Sequence, residues 1–254
     1  MYAAPDMSTE KTQGLVIRMA DFSESSRVVT FFTRDWGKIA VVAKGARRLK
    51  GPFEAALDLL TVCNIVFIRK SSSGLDILTE AKLQTRFAPR AGQLLNLYAG
   101  YYVAELLAAF SEDYDPHPRL FDQALLALDW FSAENPPQLG VMRFEMVILK
   151  EIGQLPELDA CVICGNAPAS HEHPGFHAGQ GGLVCGTCQP RVRAPLAISA
   201  GGLGLLRQLA DDSEIAWKRL AGSPAQWREL RAVATAAICH ALGHRPKMLR
   251  YLEQ

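Results

Sequence analysis

Four of the six cysteines stand in two CxxC pairs, Cys161-Val-Ile-Cys164 and Cys185-Gly-Thr-Cys188, separated by residues 165–184. A two-residue gap lets both thiolates of one tight turn reach a single ion at about 2.3 Å, and two such turns complete a tetrahedron. Zn2+ is the cation this spacing fits. Four protein ligands leave no coordination position for water, so the expected role of the metal is structural. Gly165 and Gly186 suit the two knuckles, because they relieve crowding where backbone amides approach the sulfurs. Redox chemistry would need a CxxC opening a helix beside a βαβ unit, and the flanking sequence offers none. Cys63 falls in a strand pattern and Cys239 in a helix pattern, and both are expected to be buried bystanders.

Catalytic metal readings fit less well. His171-Glu172-His173 runs into Pro174 and Gly175, which break a helix, and it does not spell the HExxH of zinc proteases. The zinc deaminase pattern needs H-x-E and then P-C-x-x-C. Here Glu172 directly follows His171, and no proline precedes either CxxC. No GxGxxG, Walker, GxSxG or kinase signature is present, and no nucleophile, base and orienter assemble from the motifs. The chain reads as a binding protein and not as an enzyme.

The second cluster with chemical meaning is basic. Lys44, Arg47, Arg48 and Lys50 follow one another closely, after Arg27, Arg34 and Lys38, and Asp35 is the one acid between Arg27 and Lys50. Cations focused on a barrel face attract phosphates and release counterions. Arg27, Arg34, Lys38, Lys44, Arg47 and Arg48 are therefore the candidate residues for binding DNA or RNA. The net charge of +1 means that any such surface comes from clustering and not from bulk charge.

The elements that must position these groups change character along the chain. Residues 15–19, 28–33, 38–43, 61–68 and 75–83 are rich in Val, Ile, Phe and Thr and read as short strands. Asp35-Trp36-Gly37 and residues 71–74 supply turns. Five short strands suit a small closed barrel of the OB-fold type. Beyond Pro89, apolar residues recur at helical spacing: Leu94, Leu95, Tyr98, Tyr102, Leu106 and Phe110 form one stripe, and residues 120–131 and 141–152 continue the pattern. Tyr98, Tyr101 and Tyr102 fit core packing better than a base-stacking platform. Ser199 is placed to cap a helix reaching Leu209, and Pro224 to open a long one reaching Ala241. The expected fold is α+β and multidomain. Residues 1–84 form a five-stranded OB-fold β-barrel, and residues 85–254 form a helical domain carrying a four-cysteine zinc finger at about 159–190.

At 49% hydrophobic and 21% charged the composition is that of a globular chain able to bury its own core. The first residues have neither the basic nor the apolar region of a secretory signal and look unstructured, and Met7 could equally serve as a start. No apolar run is long enough to span a membrane. Six cysteines in such a chain point to a reducing compartment, the cytoplasm.

Together these segments resemble the RecO family of bacterial recombination mediators. The resemblance runs through Val16-Ile-Arg-Met-Ala-Asp-Phe-Ser-Glu24-Ser-Ser-Arg-Val-Val-Thr30. It continues in Phe32-Thr-Arg-Asp-Trp-Gly37-Lys, in Lys44-Gly-Ala-Arg47-Arg48 and in the run from Phe176 to Cys188 that leads into the second knuckle. It covers the chain from about Gly14 to Leu252. The resemblance implies an N-terminal OB-fold and a helical domain with a zinc finger. It also implies binding of single- and double-stranded DNA, annealing of complementary strands, and a place on the nucleoid. The implied partners are RecR, the C-terminal tail of single-stranded DNA-binding protein, RecF in some systems, and RecA indirectly. For a tail that is acidic and ends in an apolar residue, Arg119, Arg143, Lys150, Lys218 and Arg219 are the cations that interrupt the apolar helix stripes. Two readings from other classes remain beside this one: an RNA-binding OB-fold zinc protein of translation or transcription, and a thiol or metal enzyme.

Overall fold

The computed structural model describes residues 8–48, 51, 53, 56–70, 74–133, 135–168, 173–213 and 215–252. Met7, Lys50, residues 71–73, His171 and Glu172, named above, lie outside the described residues. Five strands, β1 (Ser8–Asp21), β2 (Arg27–Thr33), β3 (Gly37–Ala43), β4 (Thr61–Arg69) and β5 (Asp76–Arg86), close a barrel in the order β1-β2-β3-β5-β4. The β3–β5 pair is parallel and the others are antiparallel. This is the expected OB-fold arrangement.

Closure depends on β1, whose first half pairs with β4 and second half with β2. A register shift between Val16 and Arg18 marks the bend between the two halves, as β-bulges do. The strand starts at Ser8, seven residues before the first strand expected from the sequence at Leu15, and residues 8–14 are ladder-forming. Their polarity reflects an outward face: Ser8, Thr9 and Lys11 are exposed while the backbone is fully engaged with β4.

Inside the barrel, Val16, Val29, Phe31, Ile39, Val41, Cys63, Ile65, Phe67 and Leu78 form the core, and β3 alternates buried and half-buried positions as a two-residue period demands. Phe32 points out of the barrel yet is fully buried, because α2 (Pro118–Ser132) covers it and its ring lies 6.2 Å from that of Phe121. The helix α1 (Leu94–Phe110) precedes α2, and Tyr102 is buried within this assembly.

The tight β2–β3 turn rests on Gly37, at φ +63°, where an added Cβ would meet the Asp115 carbonyl oxygen at 2.0 Å. Gly37→Ala is therefore expected to destabilise this part of the chain by about 1–3 kcal/mol, through left-handed strain and displacement of the Asp115 backbone. A urea melt showing no loss would mean that the 113–115 segment relaxes freely.

The chain divides into two compact units, Met1–Asn135 with Tyr251–Gln254, and Pro136–Arg250. The division expected at 84/85 follows the change from strand to helix. The compact units part later, at Asn135, because α1 and α2 bury their apolar faces with the barrel. The second unit contains α3 (Pro137–Glu151), α4 (Ala200–Ala210) and α5 (Pro224–Leu242). Ser199 caps α4, its hydroxyl accepting from the Gly202 amide, and Ser223 with Gln226 forms a capping box before Pro224 at the start of α5. A three-stranded sheet that the sequence did not suggest, β7 (Gly182–Val184), β6 (Gly175–His177) and β8 (Leu196–Ala197), lies between α3 and α4 in the chain. No helix among the described residues is long and apolar enough to cross a membrane.

Candidate metal centre and nucleic-acid interface

The strand β7 brings the two cysteine pairs together. On one edge it pairs with β6. Along it also runs the Glu157 segment, whose amide donates to the Gly181 carbonyl at 2.9 Å and whose carbonyl accepts from the Leu183 amide at 3.0 Å. Gly182 is required for that approach, since a Cβ there would stand 2.4 Å from the Glu157 carbonyl oxygen. The first knuckle is fastened to the same strand by the Val162 amide, which donates to the Leu183 carbonyl at 2.8 Å. The second knuckle continues directly from Val184 into Cys185. Within the knuckles, the Gly165 amide donates to the Cys161 carbonyl at 2.8 Å with Gly165 at φ +76°, and the Cys188 amide donates to the Cys185 carbonyl at 2.9 Å. Of the two glycines singled out from sequence, Gly165 takes the left-handed conformation and Gly186 does not.

The outcome is four sulfurs, of Cys161, Cys164, Cys185 and Cys188, all within 4.8 Å of one another. Cys164 Sγ and Cys185 Sγ are 3.8 Å apart. A tetrahedron with metal–sulfur bonds of about 2.3 Å has edges of about 3.8 Å, so the sulfurs stand where a zinc-sized ion would hold them. Three of the four are buried, and Cys164 is exposed. The electrostatics agree. Burial raises Cys161, but backbone amides of Cys185, Cys164 and Ile163 outweigh it and draw the thiol down to about 6. Burial first, and then the neighbouring sulfurs, push Cys188 up to about 12, and burial likewise raises Cys185. Charge is stabilised on Cys161 and opposed on Cys185 and Cys188, so charged sulfurs at this spacing require a cation between them.

Outward from the sulfurs, Arg207 of α4 donates to the Leu158 carbonyl at 3.0 and 2.6 Å and pairs with Asp159 at 2.9 Å. The Glu157 carboxylate accepts from the Asp159 and Ala160 amides at 2.7 and 3.1 Å, which holds its pKa below the ordinary carboxylate value. His177 is not one of the clustered ligand residues, and its Nδ1 accepts from the Gln180 amide at 3.1 Å. Cys63 is buried in the barrel, and Cys239 is half-exposed on α5.

The six basic candidates do not form one surface. Arg27 opens β2 opposite Ala43, so Arg27 and the Lys44, Arg47 and Arg48 segment that follows β3 share one end of the barrel. Arg34 and Lys38 flank the β2–β3 turn at the other end, roughly 20 Å away along seven-residue strands. There both are committed. Arg34 pairs with Asp122 of α2 at 2.8 Å. Lys38 Nζ donates to the Ser111 carbonyl at 2.6 Å, beside Asp113 at 3.5 Å, and so caps the C-terminus of α1. At the first end, Arg27 and Arg47 both approach Asp21, at 3.2 and 3.5 Å, and Arg47 also donates to the Ser23 carbonyl at 3.0 Å. Lys44 and Arg48 are exposed and have no ion pair among the described residues. Among the cations of the helix stripes, Arg143 is buried and donates to the Leu209 carbonyl at 2.6 Å and to the Asp211 carbonyl, and Lys150 pairs with Asp212 at 2.7 Å. Both hold the end of α4, a role that charge patterning cannot reveal.

Comparison with known proteins divides the chain much as its secondary structure does. A family model described as recombination protein O N terminal matches residues 7–87, and one described as recombination protein O C terminal matches residues 91–250. The chain is 36% identical over 261 residues to the DNA repair protein RecO of Rhodopirellula baltica, with 94% of this chain and 97% of that protein covered. It is 34% identical over 248 residues to the DNA repair protein RecO of Anaeromyxobacter dehalogenans, covering 98% and 97%. Similarity to the DNA repair protein RecO of Listeria monocytogenes is 31% over 198 residues, covering 78% and 76%. With both family models matched end to end over its barrel and its helical and cysteine-bearing parts, the chain belongs to the RecO family of DNA repair and recombination proteins.

Proposed function

We propose that the protein is a non-enzymatic DNA-binding protein of recombinational repair, acting in the cytoplasm on the nucleoid. It binds single- and double-stranded DNA and anneals complementary strands. With RecR, and with RecF where that is present, it helps to load RecA onto DNA coated by single-stranded DNA-binding protein, whose acidic tail it recognises. Family membership supports the partners. The observation that carries DNA binding is the cation group Arg27, Lys44, Arg47 and Arg48 on the barrel end away from the α1 and α2 contacts. Phosphates placed there displace condensed counterions, and neutralising two strands together lowers the repulsion that opposes their pairing. No bond is broken, so no nucleophile or general base is needed. Zinc, held by Cys161, Cys164, Cys185 and Cys188, supplies a closed structural cross-link.

Lys44→Glu combined with Arg48→Glu tests the reading, because neither side chain has a partner among the described residues whose loss would disturb the fold. Binding of a labelled oligonucleotide is measured against salt concentration. For each phosphate contact removed, the slope of log affinity on log salt should shrink by about 0.7 on single strands and 0.9 on duplex. The loss should be the same for every sequence, since backbone contacts carry no code. An unchanged slope in the folded double variant would place the DNA surface elsewhere.

A further inference from the structure

Phe22 is 61% exposed, in the turn between β1 and β2. Among the described residues the other exposed aromatic is Tyr114, at 36%, and that ring is already occupied. Its hydroxyl donates to Asp76, and Arg69 stacks over its face at 4.7 Å. Phe22 carries no such commitment. The turn that presents it is closed by backbone bonds, from the Phe22 amide to the Ser26 carbonyl at 3.0 Å and from the Ser23 amide to the same carbonyl at 3.3 Å, so the ring is held out by an ordered loop.

Its surroundings are charged: Asp21 borders the turn and Glu24 lies in it, and two guanidinium groups stand beside it. The residues on either side of it, Asp21 and Ser23, are the two that hold the Arg47 guanidinium, and Asp21 also receives Arg27. The Arg47 amide donates to the Ser25 carbonyl at 3.2 Å, which ties the Lys44, Arg47 and Arg48 segment to the same turn. An exposed aromatic ring beside two guanidinium groups is complementary to a ligand that carries phosphates and unpaired bases at once. A duplex buries its base faces in the stack, and an acidic peptide lacks a regular series of planar rings. Single-stranded nucleic acid offers both features.

We propose that Phe22 is a stacking platform for a base of single-stranded DNA, and that it is the residue by which this barrel end favours single strands over duplex. The proposal rests on the reading that the barrel binds DNA. The cations track the backbone of either form, while Phe22 engages a base only where the base is unstacked. Asp21 holds Arg27 and Arg47 beside the ring until phosphates compete for them.

The test compares the full-length protein with Phe22→Ala and Phe22→Trp, on a labelled oligothymidylate, a duplex of equal length, and an abasic strand that keeps the phosphates without the bases. Phe22→Ala should weaken oligothymidylate binding about 5- to 100-fold at every salt concentration, without changing the salt slope, because stacking releases no counterions. Phe22→Trp should restore it. Duplex and abasic strands should bind wild type and Phe22→Ala alike, and the exposed position should leave the thermal unfolding of all three proteins the same. Equal affinity of wild type and Phe22→Ala for oligothymidylate, with salt-dependent binding intact, overturns the role of Phe22 and leaves the DNA-binding barrel standing. Failure of the wild type to bind any of the three probes removes both.

Discussion

Cys161→Ser is expected to strip the protein of zinc and to unravel the segment from about Leu158 to Arg193, with the rest of the Pro136–Arg250 unit weakened in consequence. The reason lies in what fills that segment. Its buried cluster consists of Cys161, Val184, Cys185 and Cys188, with Val162 and Val192 packed partly against it. The ligand cysteines are thus most of the core at the knuckles, and beside that cluster the segment's buried hydrophobics among the described residues are Leu158, Phe176 and Leu183. Strands of two and three residues cannot stand on so little apolar area, so the metal–thiolate bonds must supply the cohesion. In small zinc modules that amounts to about 10–16 kcal/mol of apparent binding energy coupled to folding. A serine leaves three thiolates and a weak ligand for the cation. The expected readings are loss of about one zinc per chain by metal analysis and loss of protection of the β6 and β7 amides in hydrogen exchange. Cys239→Ser, on α5 and outside the sulfur cluster, should keep its zinc. Treating the wild type with a strong chelator should reproduce the Cys161→Ser exchange pattern. A Cys161→Ser protein that retains one zinc and unchanged exchange would mean that the four sulfurs are not a metal site. DNA binding by the barrel should survive, because the cations proposed for it lie in the other unit.

The four-cysteine cluster was legible in the sequence because the geometry of a knuckle is local. Two residues between thiols fix their spacing whatever the rest of the chain does. The scaffold that joins the two knuckles was not legible. It consists of backbone bonds between β7, β6 and the Glu157 segment, and such bonds leave little trace in side-chain pattern beyond Gly182, where the chains approach too closely for a Cβ. The barrel strands announced themselves through Val, Ile and Phe, since their inward faces must fill the interior. The first half of β1 did not, because Ser8, Thr9 and Lys11 face outward while the backbone does the pairing. Charge was the least legible property. Six cations lie close together in sequence, but a hairpin sends its two ends apart, and Arg34 and Lys38 end up securing α2 and α1. Arg143 likewise sits in an apolar helix stripe not as a surface charge but as the cap of α4. Helix termini need donors from elsewhere in the fold, and sequence spacing cannot say which cation will be taken for that purpose.

The other large effect is expected at Glu145 and Arg231, which join α3 to α5. Glu145 is fully buried, and both its carboxylate oxygens accept from Arg231 Nη2 at 2.6 Å, while Arg231 Nε donates to Thr235 Oγ1 at 3.1 Å. The arginine side chain is 20% exposed, so the pair is shielded from solvent on the carboxylate side and nearly so on the other. A charge taken so far from water is tolerated only with its partner in place. Arg231→Ala should therefore cost the Pro136–Arg250 unit about 3–5 kcal/mol, most of it the penalty of depriving a buried carboxylate of the Arg231 guanidinium. Glu145→Leu strands the guanidinium less severely, since Arg231 reaches solvent, and should cost less. The double variant Glu145→Leu with Arg231→Leu should recover most of the loss, because two apolar side chains of similar reach remove the desolvation penalty along with the attraction. Urea melts give the global values, and hydrogen exchange of the α3 and α5 amides localises the change to these helices. Single variants that each lose less than about 1 kcal/mol, or a double variant as unstable as the sum of the two, would show that the helices are held by their apolar faces and that the ion pair is incidental.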